Sequence, residues 1–260
     1  MMPNASDVRY SICMLCYNDS KTLRQSIDSL LELSKLRTIE IIVTDNMSND
    51  GSWEILQEYQ TKGLITCLRR RCSRGMGRQI ALTNSQGSYV LAHIDCDDIF
   101  SSEGIDYLLQ IYHSKYEGSV MMTKKRGPEA SNITIAPKDL LVKLGGWRDL
   151  NWGEDWDLWA RAAAIDKYSF QPYPSSNPPH KMVTVRKERD KRSMSQFVSR
   201  YGKYRDAVRS GRPAFSVIEH ASLTQRMIYY LAKLVVNLTR SKLTPIPNPD
   251  FEGMSASFSR

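Results

Sequence analysis

The chain has 260 residues, 41% hydrophobic and 25% charged, the balance of an ordinary globular protein, which excludes a disordered or collagen-like chain. Its five cysteines, Cys13, Cys16, Cys67, Cys72 and Cys96, are odd in number and widely spread, which argues for reduced thiols in a cytosol-like compartment and against a disulfide framework. The net charge of +8 is local: from Lys181 to Arg212 eleven Lys/Arg stand against three Asp/Glu, and the rest of the chain balances. The first ten residues lack the basic start and apolar run of a secretory signal, and no stretch reaches the roughly 18 uninterrupted apolar residues of a membrane span.

In chain order, "YSICMLCY" (10–17) reads as an apolar strand ending at Asn18-Asp19-Ser20, a turn and helix-cap signal. "KTLRQSIDSLLEL" follows with Leu23, Ile27, Leu30 and Leu31 at helical spacing. "IEIIVTD" (39–45) is a second strand, closed by the loop "NMSNDGS" and a short helix "WEILQEYQ". "LITCL" (64–68) is a third, followed by the basic loop "RRRCSRGMG" and the helix "RQIALTNS". "SYVLAHID" (88–95) is a fourth strand, "SEGIDYLLQIYHSKY" a helix and "SVMMTK" a fifth strand. This alternation predicts an α/β fold with a mostly parallel sheet flanked by helices, whose ligands bind outside the carboxyl ends of the strands.

After residue 124 the alternation breaks. "NITIAP" reads as a strand, "KDLLVKLGGW" as a short helix stopped at Gly145-Gly146, "EDWDLWARAAA" as a helix and "YPSSNPPH" as an irregular Pro-rich connection. The basic stretch is helical across "SQFVSRYGKYRDAVRSG", and a last helix starts at Ala214 or Ser222 and runs to Thr239. The expected organisation is a domain over 1–180, with a first half at 8–98 and a second half at 99–180. A basic helical extension over 181–245 and a frayed tail over 246–260 follow.

The sharpest local feature is Asp95-Cys96-Asp97-Asp98 at the end of the fourth strand. Crowded carboxylates repel one another and are costly to desolvate. They fit either a divalent cation that clamps a diphosphate, since Mg²⁺ and Mn²⁺ take hard oxygen ligands, or a solvated loop with a helix cap at Asp98 or Ser101. Glu154, Asp155 and Asp157 open a helix, where acids suit the dipole, or else one of them points into a cleft as a general base. Trp156 and Trp159 have core spacing, whereas Trp147 and Trp152, in loops, are candidates to stack on a sugar. The arginines at 69, 70, 71, 74 and 78 read as an exposed basic loop or a phosphate site. "GMG" is too short for a dinucleotide fingerprint. His93, inside a strand, reads as a packed histidine.

Together these stretches resemble a family 2-type glycosyltransferase of the GT-A fold, over about residues 8–170. "SICMLCYND" is similar to that family's opening strand and its "P-T-Y-N-E" end, and "VTDNMSNDGS" to "V-D-D-G-S-T-D-G-T". "GMGRQIALTNSQGSYVLAHIDCDD" resembles the glycine/arginine helix leading to the D-x-D metal motif, and "GGW…EDWDLWAR" the acceptor-side "G-G-F…E-D-x-D-L-x-x-R". The resemblance implies a GT-A-like, Rossmann-related sheet and inverting transfer of a sugar from a UDP- or GDP-linked donor. It puts Cys16, Tyr17, Asn18, Asp45, Arg78 and Asp95 on the nucleotide and donor, and Asp97 on a Mg²⁺ or Mn²⁺ ion. Asp155 becomes the base, and Gly146, Trp147 and Glu154 lie on the acceptor or sugar side. Leu15-Cys16 replaces the usual Pro-Thr, Asn46 replaces the second acid of the base-binding loop, and "QFVSRY" only approaches the Q-x-x-R-W motif of processive synthases. Single-sugar transfer is therefore expected, to a glycan or lipid-linked acceptor.

The rivals are a haloacid-dehalogenase-like phosphohydrolase, whose acidic motif follows the first strand rather than the fourth, and a nucleotidyltransferase, for which no Gly-rich phosphate loop is present. A basic nucleic-acid- or membrane-binding module is the non-enzymatic alternative. "SLTQRMIYYLAKLVVNLTR" (222–240) is apolar around much of its circumference. Segment 181–240 is expected either to dock an otherwise cytoplasmic protein on the cytoplasmic face of an anionic membrane or to pack on protein.

Overall fold

The computed structural model describes residues 9–123, 133–171, 183–186, 196–212, 221–239 and 241–243. The tail expected over 246–260, the Pro-rich connection and part of the basic stretch lie outside the described residues.

The first half is three strand–helix repeats and a fourth strand: β1 (Tyr10–Cys16), α1 (Ser20–Leu31), β2 (Ile39–Asp45), α2 (Ser52–Thr61), β3 (Thr66–Arg69), α3 (Arg74–Thr83) and β4 (Tyr89–Asp95). There follow β5 (Asp98–Phe100), α4 (Ser102–Ile111), β6 (Val120–Thr123), β7 (Thr134–Pro137), α5 (Lys138–Lys143), α6 (Glu154–Ala163) and β8 (Tyr168–Gln171). β9 (Val183–Arg186), α7 (Gln196–Arg209) and α8 (Leu223–Leu238) complete the elements of the described residues.

The main sheet has seven strands in the order β3-β2-β1-β4-β7-β6-β8. All run in one direction except β7, which is antiparallel to both neighbours. Strand order reverses between β1 and β4, the position where such sheets open a crevice at their carboxyl edge. The helices cover both faces. On one, Leu23, Ile27 and Leu30 of α1, Leu56 of α2, and Ile105 and Leu108 of α4 pack with Ile12, Met14 and Cys16 of β1. On the other, Leu82 of α3, Leu141 of α5, and Leu158 and Trp159 of α6 pack with Cys13 of β1 and Ile42 of β2. The CxxC cysteines thus sit on opposite faces, as the strand period of two requires. Each aliphatic side chain buried in these layers contributes about 1.5–3 kcal/mol.

Three short strands, β5, β8 and β9, have no counterpart in the sequence pattern. β5 was read as a loop or helix cap, but it pairs antiparallel with β9, while Ser101 caps α4 by accepting from the Gly104 N–H at 3.0 Å. A three-residue strand has no periodicity of its own, and here its partner lies in the segment read as an extension. β8 joins the sheet edge through β6, again by a long-range pairing.

The glycines of "GMG" have a packing role. A Cβ on Gly75 would collide with the backbone oxygen of Arg148, and one on Gly77 with the Leu15 side chain. These positions let α3 close onto the end of β1 and onto the 148–150 loop, whose Leu150 carbonyl accepts from Gly75 N–H at 2.9 Å. Replacement of Gly75 by alanine is expected to destabilise the fold by about 1–3 kcal/mol in urea unfolding, whereas Gly118→Ala, with open space around it, has only its positive φ of 83° to strain it and is expected to cost about 1 kcal/mol.

Candidate active site

Register places the ends of the parallel strands side by side: Cys16 beside Asp45, Asp45 beside Arg69, and Leu15 beside Asp95. Asp45 is fully buried. Its carboxylate accepts from the Ser48 N–H at 3.1 Å and pairs with Arg69 Nε at 3.2 Å. Arg69 also donates to the Ser48 carbonyl at 2.7 Å and lies over the Trp53 ring. Asn18, with a left-handed φ of 55°, receives the Asn49 N–H on its side-chain oxygen at 3.0 Å, and its own N–H donates to Ser48 Oγ at 2.9 Å. Asn46 accepts from the Cys72 N–H at 2.9 Å. The loops after β1, β2 and β3 are therefore tied into one rim, beside which Tyr17 is exposed.

β4 reaches this rim through a bulge. Between Ile12/Leu91 and Met14/Ile94 the pairing with β1 gains a residue on β4, and His93 has a φ of 61°. Leu91 packs on the α1 side of the sheet and Ala92 on the α3 side. Strict alternation would return residue 93 to the α1 side, but His93 packs against Trp147 and Trp159 on the α3 side. The phase then shifts, so that Ile94 and Cys96 face α1 and Asp95 turns toward Arg78 of α3, 4.0 Å away. Re-aiming a side chain at a site is what a bulge accomplishes. His93 is anchored at Nδ1 by Thr134 Oγ1 at 2.8 Å, and the Trp159 indole N–H donates to the same hydroxyl at 3.1 Å. Burial, reinforced by the Arg78 charge, pushes the imidazole well below its usual pKa and keeps it neutral.

Beyond the bulge, Asp95, Asp97 and Asp98 each present a carboxylate oxygen within 4.8 Å of the others, with Asp97 and Asp98 buried. Three converging hard oxygens are a donor set suited to a divalent cation. On the other side of Asp95, Arg78 donates to Glu154 at 2.5 Å, and both groups are buried. Burial pushes the Glu154 carboxyl up, and the Arg78 charge pulls it back.

The three acids of α6 take three roles. Glu154 holds Arg78. Asp157, fully buried, receives Arg148 Nε at 3.0 Å and Arg161 Nε at 3.0 Å. Arg161 in turn donates to the Leu144 and Gly146 carbonyls, which fixes the Gly145-Gly146 turn. Asp155 is half-buried. Its oxygen accepts from the Trp156 N–H at 2.7 Å, and its charge acts on both Glu154 and Arg212.

Among the residues expected on the acceptor side, Trp147 differs most. Its ring is 2% exposed and lies in the core layer under His93, a packing residue in place of an open platform for a sugar. Gly146, with a φ of 62°, seats its chain against Gln79, which accepts from the Trp147 N–H at 2.9 Å. The side chain of Cys16 is buried beside Cys96 and Asp19. Asp45, expected on the base, is engaged by Ser48 and Arg69. Arg69, expected in an exposed basic loop or a phosphate site, is tied to Asp45, and Asp98 stands with Asp95 and Asp97 in the expected acidic cluster. Two residues carry no sequence signal. Asp206 of α7 accepts from the Asn151 and Trp152 N–H groups at 2.8 and 3.2 Å. Arg212 lies over the Trp156 ring at 4.0 Å and donates to the Gly153 carbonyl at 3.0 Å. No local pattern marks the last two, because their partners are distant in sequence.

A mostly parallel sheet with an acidic cluster at its switch point, joined through Arg78 to a second acidic helix N-terminus, defines an α/β site at the carboxyl edge of the strands. The family model for Glycosyl transferase family 2 matches residues 11–168, and the chain belongs to that family. An uncharacterized glycosyltransferase of Methanocaldococcus jannaschii is 28% identical over 195 residues, a stretch covering 62% of this chain and 66% of that relative, just under two thirds. The fold is similar to a crystal structure of Staphylococcus aureus TarS 1–349 in complex with UDP-GlcNAc, with a TM-score of 0.62 and 17% identity over 86% of this chain and 79% of that one. It is also similar to the mannosyltransferase PcManGT of Pyrobaculum calidifontis in complex with GDP-Man and Mn²⁺, with a TM-score of 0.58 and 17% identity over 98% and 81% of the two chains.

Arg78→Met is expected to destabilise the protein by about 3–5 kcal/mol, because it strands a buried carboxylate. The double variant Arg78→Met/Glu154→Met is expected to recover part of that loss, which a double-mutant cycle in urea would read directly.

Proposed function

We propose that this protein transfers a single sugar from a UDP- or GDP-linked donor to an acceptor hydroxyl, with inversion at the anomeric carbon. The observation that carries this reading is the chain of charges along the sheet edge: the Asp95/Asp97/Asp98 cluster, Arg78 between Asp95 and Glu154, and Asp155 beside Glu154 at the start of α6. The donor class is supported by the UDP-GlcNAc and GDP-Man bound in the two similar structures, and the cation by the Mn²⁺ in one of them.

In this reading Asp97, with Asp95 and Asp98 beside it, would hold Mg²⁺ or Mn²⁺, which would supply positive charge to the departing diphosphate. Arg78 adds a guanidinium on the flank of Asp95. Tyr17 and Asn18 contact the nucleoside at the rim, and Asp45 with Arg69 holds the loop that shapes it. Asp155 takes the proton of the acceptor hydroxyl. The acceptor oxygen then forms its bond to the anomeric carbon from the face opposite the leaving group, and the carbon–oxygen bond to the diphosphate breaks with its electron pair leaving on the diphosphate. The transition state is oxocarbenium-like, so charge stabilisation on both sides of the sugar is the main demand on the site. The acceptor class is a glycan or lipid-linked sugar. A phosphohydrolase needs its acidic motif after the first strand. Here the cluster follows the fourth strand of the sheet and faces a second acidic helix, an arrangement that suits group transfer between two bound substrates.

Calorimetry with UDP and GDP is expected to show binding of one of them that requires Mn²⁺ or Mg²⁺ and is lost with EDTA and in Asp97→Ala. A folded protein that binds neither nucleotide would overturn the reading. Asp155→Asn is expected to keep donor binding while lowering turnover by about 10²–10⁴-fold.

A further inference from the structure

The last helix has two apolar faces, and the fold uses one. Ile228, Tyr229, Ala232 and Val236 are buried against Tyr204 and Val208 of α7. On the opposite side Leu223, Met227, Tyr230, Leu231, Leu234 and Leu238 are between 43% and 77% exposed. At 3.6 residues per turn these six positions fall within an arc of about 100° along the full length of the helix. They account for half of the large exposed hydrophobic residues among those described. A stripe of this kind on one element is far from the scattered apolar exposure of an ordinary surface.

The charges around the stripe are of one sign. From residue 221 to 243 the sequence has no Asp or Glu, and Arg226, Lys233 and Lys242 are exposed. Arg226 and Lys233 project along one border of the stripe. The chain that leads to this helix carries eleven Lys/Arg against three Asp/Glu between residues 181 and 212. The helix is also preformed: Ser222 and Gln225 close a capping box at its start, so an ordering cost that a free peptide would meet on docking has been met by folding.

We propose that the outward face of α8 is a docking surface for the headgroup region of an anionic lipid bilayer, with the helix lying in the plane of the interface. Leu223, Met227, Leu231, Leu234 and Leu238 enter the acyl boundary. Tyr230 places its ring there and its hydroxyl toward water, and Arg226 and Lys233 extend to the lipid phosphates. Insertion across the bilayer is excluded by length, since no helix among the described residues is long and apolar enough to span. The bilayer is favoured over a second copy of the chain by charge. Self-pairing leaves the Arg226 and Lys233 charges without a carboxylate on either helix to neutralise them and, in an antiparallel pair, sets the two basic borders against each other, whereas an anionic surface meets every charge present. The surface is independent of the sugar-transfer reading, because no residue of it belongs to the site.

The test is co-sedimentation of the full chain with vesicles of phosphatidylcholine alone or with phosphatidylglycerol as about a third of the lipid. Binding is expected only to the anionic vesicles, weakened by high salt, and reduced at least about tenfold in Met227→Glu/Leu234→Glu and several-fold in Arg226→Ser/Lys233→Ser. Circular dichroism and nucleotide calorimetry on the same variants check folding and the donor site, so a failure of the donor reading is seen separately. Three results would each overturn the proposal: no binding by the wild type, equal binding by Met227→Glu/Leu234→Glu, or a lipid-free dimer that this variant dissociates while vesicles are ignored.

Discussion

The site is organised around one buried guanidinium. Arg78 stands between Asp95, at the end of a central strand, and Glu154, at the start of a helix from the second half of the chain. Ions buried this deeply are tolerated only when they neutralise one another with good geometry. The pairing therefore acts as a distance constraint between the rim at the strand ends and the N-terminus of α6. The approach it requires is close, and Gly75 and Gly77 permit it, since side chains there would strike Arg148 and Leu15.

The second constraint is the phase shift at His93. A strand that alternates without interruption would aim Asp95 at the apolar layer formed by α1. The extra residue turns it toward Arg78 instead. The left-handed conformation of a non-glycine residue is unfavourable by itself. It is held by the bond to Thr134 and by two indole rings packed on the imidazole. Trp147 and Trp159 thus serve the site by supporting the strand that presents its acids. Desolvation makes the neutral imidazole the stable form there, so the layer beneath the acidic cluster contributes no competing positive charge.

The C-terminal segment is part of this architecture. β9 pairs with β5 immediately after the acidic cluster, Asp206 gathers the backbone of Asn151 and Trp152, and Arg212 covers Trp156 and Gly153. Burial pushes the Arg212 guanidinium below its usual pKa, and the Asp155, Asp157 and Glu154 charges oppose that shift. The loop 148–153 is consequently held from three directions: by α3, by α6 through Arg148 and Asp157, and by α7. The same segment carries α8, so the outward apolar face and the acidic site are built on connected elements.

The elements with strong local signals are legible in the chain alone. The β-branched run 39–45, the leucine spacing of 23–31 and the turn chemistry between them specify an alternating α/β chain, and that alternation puts the strand ends on one edge. The sequence also displayed the crowded acids at 95–98 and 154–157, since like charges at short spacing are visible without coordinates. Only the tertiary structure decided what each acid does. Asp45 and Asp157 are held inside by arginines, Glu154 is paired with Arg78, and Asp155 lies half-buried beside them. It moved Trp147 from a loop platform to the core and brought β9, Asp206 and Arg212 back to the site. The physical reason is range. Periodicity and turn propensity act over a few residues, whereas burial and ion pairing are set by neighbours tens of residues away in the chain.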